Sequence, residues 1–104
     1  KAKELIYTCA IVKADEALSI GLVNKVVPLD KLMDEARAMA KAICSNAPIA
    51  VKTCKDAINR GMQVDIDKAI EIEAGDFGSC FDSLDQKEGM SAFLERREKN
   101  FQNK

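Results

Sequence analysis

Apolar residues recur every three or four positions along most of this chain, with charged residues between them, as in amphipathic α-helices. The clearest example covers residues 29 to about 45, where the apolar positions are Leu32, Ala36, Met39, Ala40 and Ile43. Lysine, arginine and acidic residues fill the opposite face of that segment. The pattern predicts a helix with one buried side.

Two further helices are predicted from the residues that commonly mark helix ends. Pro48 suits the first position of a helix that runs to about residue 60, with Gly61 as the left-handed residue just beyond its end. Asp65 can cap the next helix. The apolar stripe of that helix comprises Ile66, Ala69, Ile70, Phe77 and Phe81.

A last helix is predicted to open near Ser83 or Asp85. Its inner side would be formed by Met90, Phe93, Leu94, Arg97 and Phe101. Glu88 and Gly89 lie between these positions and are expected to have a packing or capping role.

The first quarter of the chain is less regular. A helical turn or two is predicted near Leu5, and a short, weakly capped helix from about Ala14 to a terminating Gly21. A β-branched run over residues 23–27, stopped by Pro28, then predicts a strand or extended connector. The chain is therefore predicted to be all-α, with five or six helices and one short extended segment.

Composition excludes several classes of function. The chain has 104 residues, of which 47% are hydrophobic and 32% charged, and its net charge is -1. This balance disfavours binding to nucleic acid or to anionic membranes. The apolar runs are only a few residues long, and the lysine-rich start has no signal-peptide pattern. We therefore expect a soluble, cytoplasmic protein.

No catalytic or metal-binding residue is predicted. The chain has no histidine and no Cys-x-x-Cys pair, which removes the usual zinc patterns and histidine-dependent mechanisms. We expect four reduced, buried thiols at Cys9, Cys44, Cys54 and Cys80. Acidic pairs lie in first turns or on polar helix faces, at Asp15 and Glu16, Asp65 and Asp67, and Glu71 and Glu73.

Four segments of the chain carry a family resemblance: AKELIYT, ADEALSIGLVNKVVP, GMQVDIDKAIEIEAGDF and FDSLDQKEGMSAFLERREKNF. In this order they resemble the C-terminal part of the crotonase family, the enoyl-CoA hydratases and isomerases. The resemblance covers residues 1–104. Within the family it is greatest to the bacterial 3-hydroxybutyryl-CoA dehydratases.

The resemblance implies that residues 1–104 are the C-terminal helical, trimerisation domain of a crotonase-like enzyme, without its N-terminal spiral catalytic domain. The parent would hydrate crotonyl-CoA reversibly, with a coenzyme A thioester as substrate and no prosthetic group. Oxyanion-hole amides and proton-transferring glutamates would lie in the N-terminal part, so this chain alone is expected to be inactive. The family also implies a homo-oligomer, either a trimer or a dimer of trimers.

Two other functions stay open. The chain can be an independent helical oligomerisation or interaction module without catalysis, or part of an enoyl-CoA isomerase. The sequence upstream of residue 1 would decide between an enzyme part and the non-catalytic module, because it would contain or lack the glycine-rich oxyanion loop and the catalytic glutamates.

Two residues are carried over from the family as coenzyme contacts. Phe77, in FGSCF, matches an aromatic residue that packs on the adenine of coenzyme A bound to the neighbouring subunit, although its helix stripe equally suits a core phenylalanine. The glycines at 75 and 78 suggest a close approach of backbone or ligand there, or a kink.

Arg96 is the second of these residues. It lies in FLERR, where many hydratases have FLEKR with a lysine that meets the adenine and phosphate end of the coenzyme. An arginine keeps the charge and adds a fork for phosphate. The alternative is an ordinary solvated charge, and Arg97 is a weaker candidate because it falls on the apolar stripe.

Overall fold

The computed structural model describes residues 1–104 and divides into two compact units, Lys1–Arg37 and Ala38–Lys104. All regular structure is helical, with six α-helices, one 3-10 turn and no strand. The all-α prediction with five or six helices is therefore confirmed.

The first unit contains α1 (Ala2–Thr8), α2 (Ala14–Ser19), a 3-10 turn (Leu29–Lys31) and the start of α3 (Leu32–Cys44). The predicted extended segment at residues 23–27 forms a connector rather than a strand. A strand needs a neighbour to exchange backbone hydrogen bonds with, and the chain contains no other strand. The β-branched residues in this segment therefore have no partner strand with which to form a sheet.

Gly21 ends α2 as predicted. Its φ of +73° is left-handed, and its N–H donates to the carbonyl of Leu18 at 3.1 Å, while the N–H of Leu22 donates to that of Ala17 at 2.8 Å. These two bonds form a Schellman motif. At the other end Lys13 makes no side-chain cap, in agreement with the weak cap predicted there.

The second unit contains the rest of α3, followed by α4 (Pro48–Gly61), α5 (Ile66–Cys80), α6 (Leu84–Glu95) and a non-helical tail. Asp65 caps α5 as predicted, and Ser83, one of the two residues near which the last helix is predicted to open, caps α6. Asp65 accepts a hydrogen bond from the N–H of Lys68 at 3.0 Å, and Ser83 accepts one from the N–H of Gln86 at 3.1 Å. Within this unit α4 and α5 form the one extensive helix–helix contact.

The prediction that Gly61 lies beyond α4 in a left-handed conformation is wrong. Gly61 is the last helical residue, and Met62 follows it in a right-handed conformation with φ −69°. A Cβ built on Gly61 would lie 3.4 Å from the Cβ of Ala69 in α5. Gly61 therefore faces α5 from within α4, and the helix ends without a left-handed residue.

Few apolar side chains are buried. The buried apolar residues are Ala17 in the first unit and Ala92 in the second. The predicted inner side of α6 is wrong for Phe93 and Leu94, which are 79% and 75% exposed, because nothing in the chain covers that face.

Candidate functional site

Phe77 lies in the last turn of α5 and is 66% exposed. Its ring meets that of Phe81, one helical turn later, in a T-shaped arrangement with centroids 5.4 Å apart and planes at 74°. The edge contact orients the Phe77 ring and leaves most of it accessible. A buried core position, the alternative reading of the stripe, does not describe this residue in the chain.

A hollow of about 610 Å³ lies between α4 and α5, with Phe77 in its wall. We call it the α4–α5 hollow. Most of its other lining is apolar and includes Ala57, Ile58, Met62, Ile66 and Ile70. Four of these side chains are more than half exposed. The hollow is thus an open apolar surface with an aromatic ring on it.

The two glycines beside Phe77 leave open space around α5. A Cβ built on Gly75 or Gly78 would meet no atom within 4 Å, and α5 runs without interruption through both positions. No backbone of this chain approaches there, and neither glycine ends the helix. The expected approach of this chain's own backbone is therefore wrong, and the other two explanations, a ligand or a kink, stay predictions.

A polar cluster borders the same face. Arg60 forms ion pairs with Asp56 at 2.9 Å and with Asp76, the residue before Phe77, at 3.4 Å. The hydrogen bond to Asp56 and the charge of Asp76 raise the pKa of Arg60 above its ordinary value. This cluster links α4 to α5.

Arg96 and Arg97 have different environments at the end of α6. Arg96 is the C-cap residue, with a left-handed backbone at φ 54°, ψ 38°. It lines a separate hollow of about 540 Å³ with Phe93, Leu94 and Arg97. The guanidinium of Arg97 turns back to Glu88, with which it makes two hydrogen bonds of 2.6 and 2.9 Å.

The chain does not bring Phe77 and Arg96 together. The α4–α5 hollow and the hollow beside Arg96 share no lining residue. If both residues contact one ligand, they contact well-separated parts of it or separate copies.

The sequence did not reveal a set of contacts that closes the tail onto α6. Asp85 is 1% exposed and accepts hydrogen bonds from the backbone N–H groups of Gln102 at 2.6 Å and Asn103 at 2.8 Å. The N–H groups of Leu84 and Asp85 donate to the backbone oxygen of Lys104 at 2.7 and 3.1 Å. The buried carboxylate of Asp85 and the backbone N–H groups at the start of α6 thus all have hydrogen-bond partners.

Glu88 completes this set, which we call the tail clasp: Asp85, Glu88 and Gly89 on α6 with residues 97–104. Glu88 binds Arg97 and also accepts from the N–H of Asn100 at 2.8 Å. These hydrogen bonds lower the pKa of Glu88 to about 2. The Phe101 ring lies over Gly89, 3.5 Å from where a Cβ would be. Gly89 has the packing role expected for it, whereas Glu88 binds the tail through hydrogen bonds.

The other acidic residues and the cysteines offer no reactive arrangement. Asp65 is a cap, and Glu71 pairs with Lys68 at 2.7 Å. No group of three or more His, Cys, Asp or Glu side chains is placed to hold a metal ion. The prediction of buried thiols is wrong for Cys9, Cys44 and Cys54, which are exposed because their helix faces are uncovered; Cys80 is half-buried.

None of the helices is long and apolar enough to cross a membrane.

Known proteins with similar sequences share a single family description. The family described as Enoyl-CoA hydratase/isomerase matches residues 1–104. Short-chain-enoyl-CoA hydratase of Clostridium acetobutylicum is 58% identical over 96 residues, which are 92% of this chain and 37% of that protein. Crotonyl-CoA hydratase of Syntrophomonas wolfei is 54% identical over 100 residues, 96% of this chain and 38% of that protein.

A solved structure agrees with these sequence matches. The chain superposes on the crystal structure of an enoyl-CoA hydratase from Bacillus anthracis with a TM-score of 0.95 and 40% identity, over 99% of this chain and 40% of that one. The chain thus spans 37–40% of the length of the relatives described here.

Proposed function

This chain belongs to the enoyl-CoA hydratase/isomerase family, and on that premise we propose that it is the C-terminal helical part of an enoyl-CoA hydratase that interconverts crotonyl-CoA and 3-hydroxybutyryl-CoA. The observation that carries the proposal is the 54–58% identity, over nearly the whole chain, to hydratases named for short-chain and crotonyl-CoA substrates. Fold alone would be a weaker argument, because one fold supports several reactions.

The proposed reaction adds water across the 2,3 double bond of the thioester. It needs hydrogen-bond donors for the thioester enolate and carboxylates that move protons. The three carboxylates of this chain that accept backbone hydrogen bonds are committed elsewhere: Asp65 to a cap, and Asp85 and Glu88 to the tail clasp. We therefore assign the chemical step to the rest of the protein.

The proposed role of this part is to bind the nucleotide end of coenzyme A. The exposed ring of Phe77 can stack on adenine, a contact worth about 1–3 kcal/mol per base. Arg96 offers an arginine fork with no acidic partner, which suits a phosphate group. Both groups would act on substrate atoms remote from the reacting carbons.

A second proposed role is assembly into a homo-oligomer, a trimer or a dimer of trimers. The exposed apolar side chains of the α4–α5 hollow and of α6 support it, because such patches usually mark interaction surfaces. The exposed thiols favour a reducing compartment, and we place the protein in the cytoplasm, in fatty acid metabolism.

The test is an assay of the full-length protein. Hydration of crotonyl-CoA, followed by loss of the conjugated thioester absorbance, is compared with isomerisation of 3-butenoyl-CoA. We expect hydration to be the faster reaction by more than about a hundredfold. Faster isomerisation would establish the isomerase instead, and the absence of both activities would favour a non-catalytic module.

Assembly is tested separately with this chain. Analytical ultracentrifugation should show self-association through its exposed apolar faces. A stable monomer at high concentration would contradict this expectation and would leave the hydratase assay unaffected.

A further inference from the structure

The backbone at Arg96 is in a conformation that needs support. Its φ of 54° and ψ of 38° are left-handed, which residues other than glycine adopt reluctantly because of their Cβ atom. Two bonds close the turn: the N–H of Arg96 donates to the carbonyl of Phe93 at 3.3 Å, and that of Arg97 donates to Ala92 at 3.0 Å. A glycine would hold this turn without strain, yet the chain has an arginine.

Glu88 is the side chain that secures the residues just after the turn. Its two carboxylate oxygens accept from the two Nη atoms of Arg97 at 2.6 and 2.9 Å, a fork-to-fork pair. One of these oxygens also accepts from the N–H of Asn100 at 2.8 Å. Glu88 lies two helical turns before Arg96, so the chain between them is closed into a loop.

The far end of the tail is held independently. Asp85 accepts from the N–H groups of Gln102 and Asn103, and Phe101 lies against Gly89. Residues 97–104 are therefore fixed to α6 at both ends. The direction in which the chain leaves Arg96 is set by these contacts and by the left-handed turn.

The consequence is a division of roles between two adjacent arginines. Arg97 is paired with Glu88 and, through Nε, with Glu95 at 2.6 Å. Arg96 takes part in none of the ion pairs of the chain. Arg97 binds Glu88 and Glu95, whereas the guanidinium of Arg96 has no acidic partner in the chain and is open to an anion from outside.

We infer that Glu88 is a positioning residue for Arg96: by binding Arg97 and Asn100 it holds the left-handed turn from which Arg96 reaches the phosphate-bearing end of the coenzyme. The inference rests on the proposed function, in which Arg96 contacts that end. It adds to coenzyme binding a residue, Glu88, that does not itself touch the substrate. It also gives the two adjacent arginines different roles, Arg97 in holding the turn and Arg96 in binding the anion.

The experiment compares two substrates in the full-length protein. Crotonyl-CoA has the nucleotide end, and crotonyl-pantetheine is the same thioester without it. The variants are Glu88→Gln, Arg96→Ala, the double variant, and Arg97→Lys, which keeps the charge but loses the fork. Glu71→Gln is the matched control, because Glu71 also pairs with a basic side chain, Lys68 on α5, outside the tail clasp.

We expect Arg96→Ala to raise KM for crotonyl-CoA about tenfold at unchanged kcat, and Glu88→Gln to raise it about fivefold. KM for crotonyl-pantetheine should stay within about twofold in both. In the Arg96→Ala background, Glu88→Gln should add less than about twofold, because its effect passes through Arg96. Arg97→Lys should show part of the Glu88→Gln effect, and Glu71→Gln none.

The positioning role would be overturned if Glu88→Gln impaired the reaction of both substrates equally. It would also be overturned if the KM increase in the double variant equalled the product of the increases in the two single variants. If Glu88→Gln is unfolded at the assay temperature in a thermal melt, Arg97→Lys decides by the same criteria, and an unchanged KM refutes the inference. Arg96→Ala without effect would instead refute the proposed coenzyme contact itself. An effect of Arg96→Ala without one of Glu88→Gln would refute only the positioning role.

Discussion

The α4–α5 hollow and the tail clasp lie in the same unit but are organised by different forces. The hollow is apolar and open, and its ring at Phe77 is 66% exposed. The tail clasp is polar and closed, with Asp85 and Glu88 bonded to backbone and arginine donors of the chain itself. The polar groups of the tail clasp find their partners within the chain, whereas the apolar side chains of the α4–α5 hollow stay exposed.

This difference predicts where a substitution will be felt. Hydrogen bonds made inside the chain contribute to its own stability, so changes in the tail clasp should be visible in the structure of the second unit. Exposed apolar side chains contribute little until they are buried by a ligand or another surface. Changes in the α4–α5 hollow should therefore affect binding more than folding.

The largest effect on folding is expected from Asp85→Ala. This buried carboxylate accepts two backbone hydrogen bonds, and charge-assisted bonds of this kind are worth about 1.5–3 kcal/mol each. Because the freed N–H groups can reach water when the tail detaches, we expect a loss of about 2–4 kcal/mol in the free energy of tail opening. Hydrogen exchange at the Gln102 and Asn103 amides measures it.

Asp67→Ala is the matched control. Asp67 is the second residue of α5, as Asp85 is of α6, but it is exposed. Its removal should cost only the interaction with the helix dipole, about 0.3–1 kcal/mol. Similar losses for the two variants would mean that the tail clasp contributes no stability of its own.

Phe77→Ala should separate binding from folding in the hollow. The lost edge contact with Phe81 should cost about 1 kcal/mol or less of stability. In the full-length protein, KM for crotonyl-CoA should rise about tenfold, in line with a stacking contact of about 1–3 kcal/mol. KM for crotonyl-pantetheine should not change. Thermal melts and kinetics with both substrates give the answer.

A structural role of Phe77 makes the opposite forecast. If the assembled protein buries this ring as core, Phe77→Ala would cost about 3–5 kcal/mol and reduce activity on both substrates alike. That result would end the assignment of the residue to the coenzyme.

Gly78→Ala tests what lies outside α5. A Cβ there meets no atom of the chain, so the variant should stabilise this helix by up to about 1 kcal/mol through helix propensity alone. Gly61→Ala is the comparison, and its gain should be smaller because the new Cβ contacts Ala69 at 3.4 Å. A higher KM for crotonyl-CoA in Gly78→Ala would place the ligand near this position. An unchanged KM would exclude close approach.

Acidification should loosen the tail clasp over a defined range. The pKa of Glu88 is lowered from 4.5 to about 2 in the folded chain, so its ionised form favours the folded state above pH 4.5. That contribution should diminish as pH falls from 4.5 and vanish below about 2. The amide NMR shift of Asn100 reports it, and Glu88→Gln should remove this dependence. A transition centred at pH 4.5 would contradict the Arg97 contact.

Local chemistry explains what the sequence predicted correctly. Asp65 and Ser83 cap their helices, and Gly21 ends α2, because each acts on backbone groups within a few residues of itself. The family resemblance is confirmed by the match over residues 1–104. Phe77 and Arg96 as coenzyme contacts stay predictions.

Partners distant in sequence decided the rest. Gly61 follows the sequence pattern of a helix terminator, but Ala69 eight residues later determines that it is a close-contact residue within α4. Phe93 follows the pattern of an inner face, but exposure depends on what covers it.

The sharpest case is the pair of first-turn acids, Asp67 and Asp85. The sequence by itself determined that both suit a helix start, because helix periodicity, caps and dipoles are local. Only the tertiary structure decided that Asp85 is buried and binds the tail, since its hydrogen-bond donors at residues 102 and 103 lie 17 and 18 positions away.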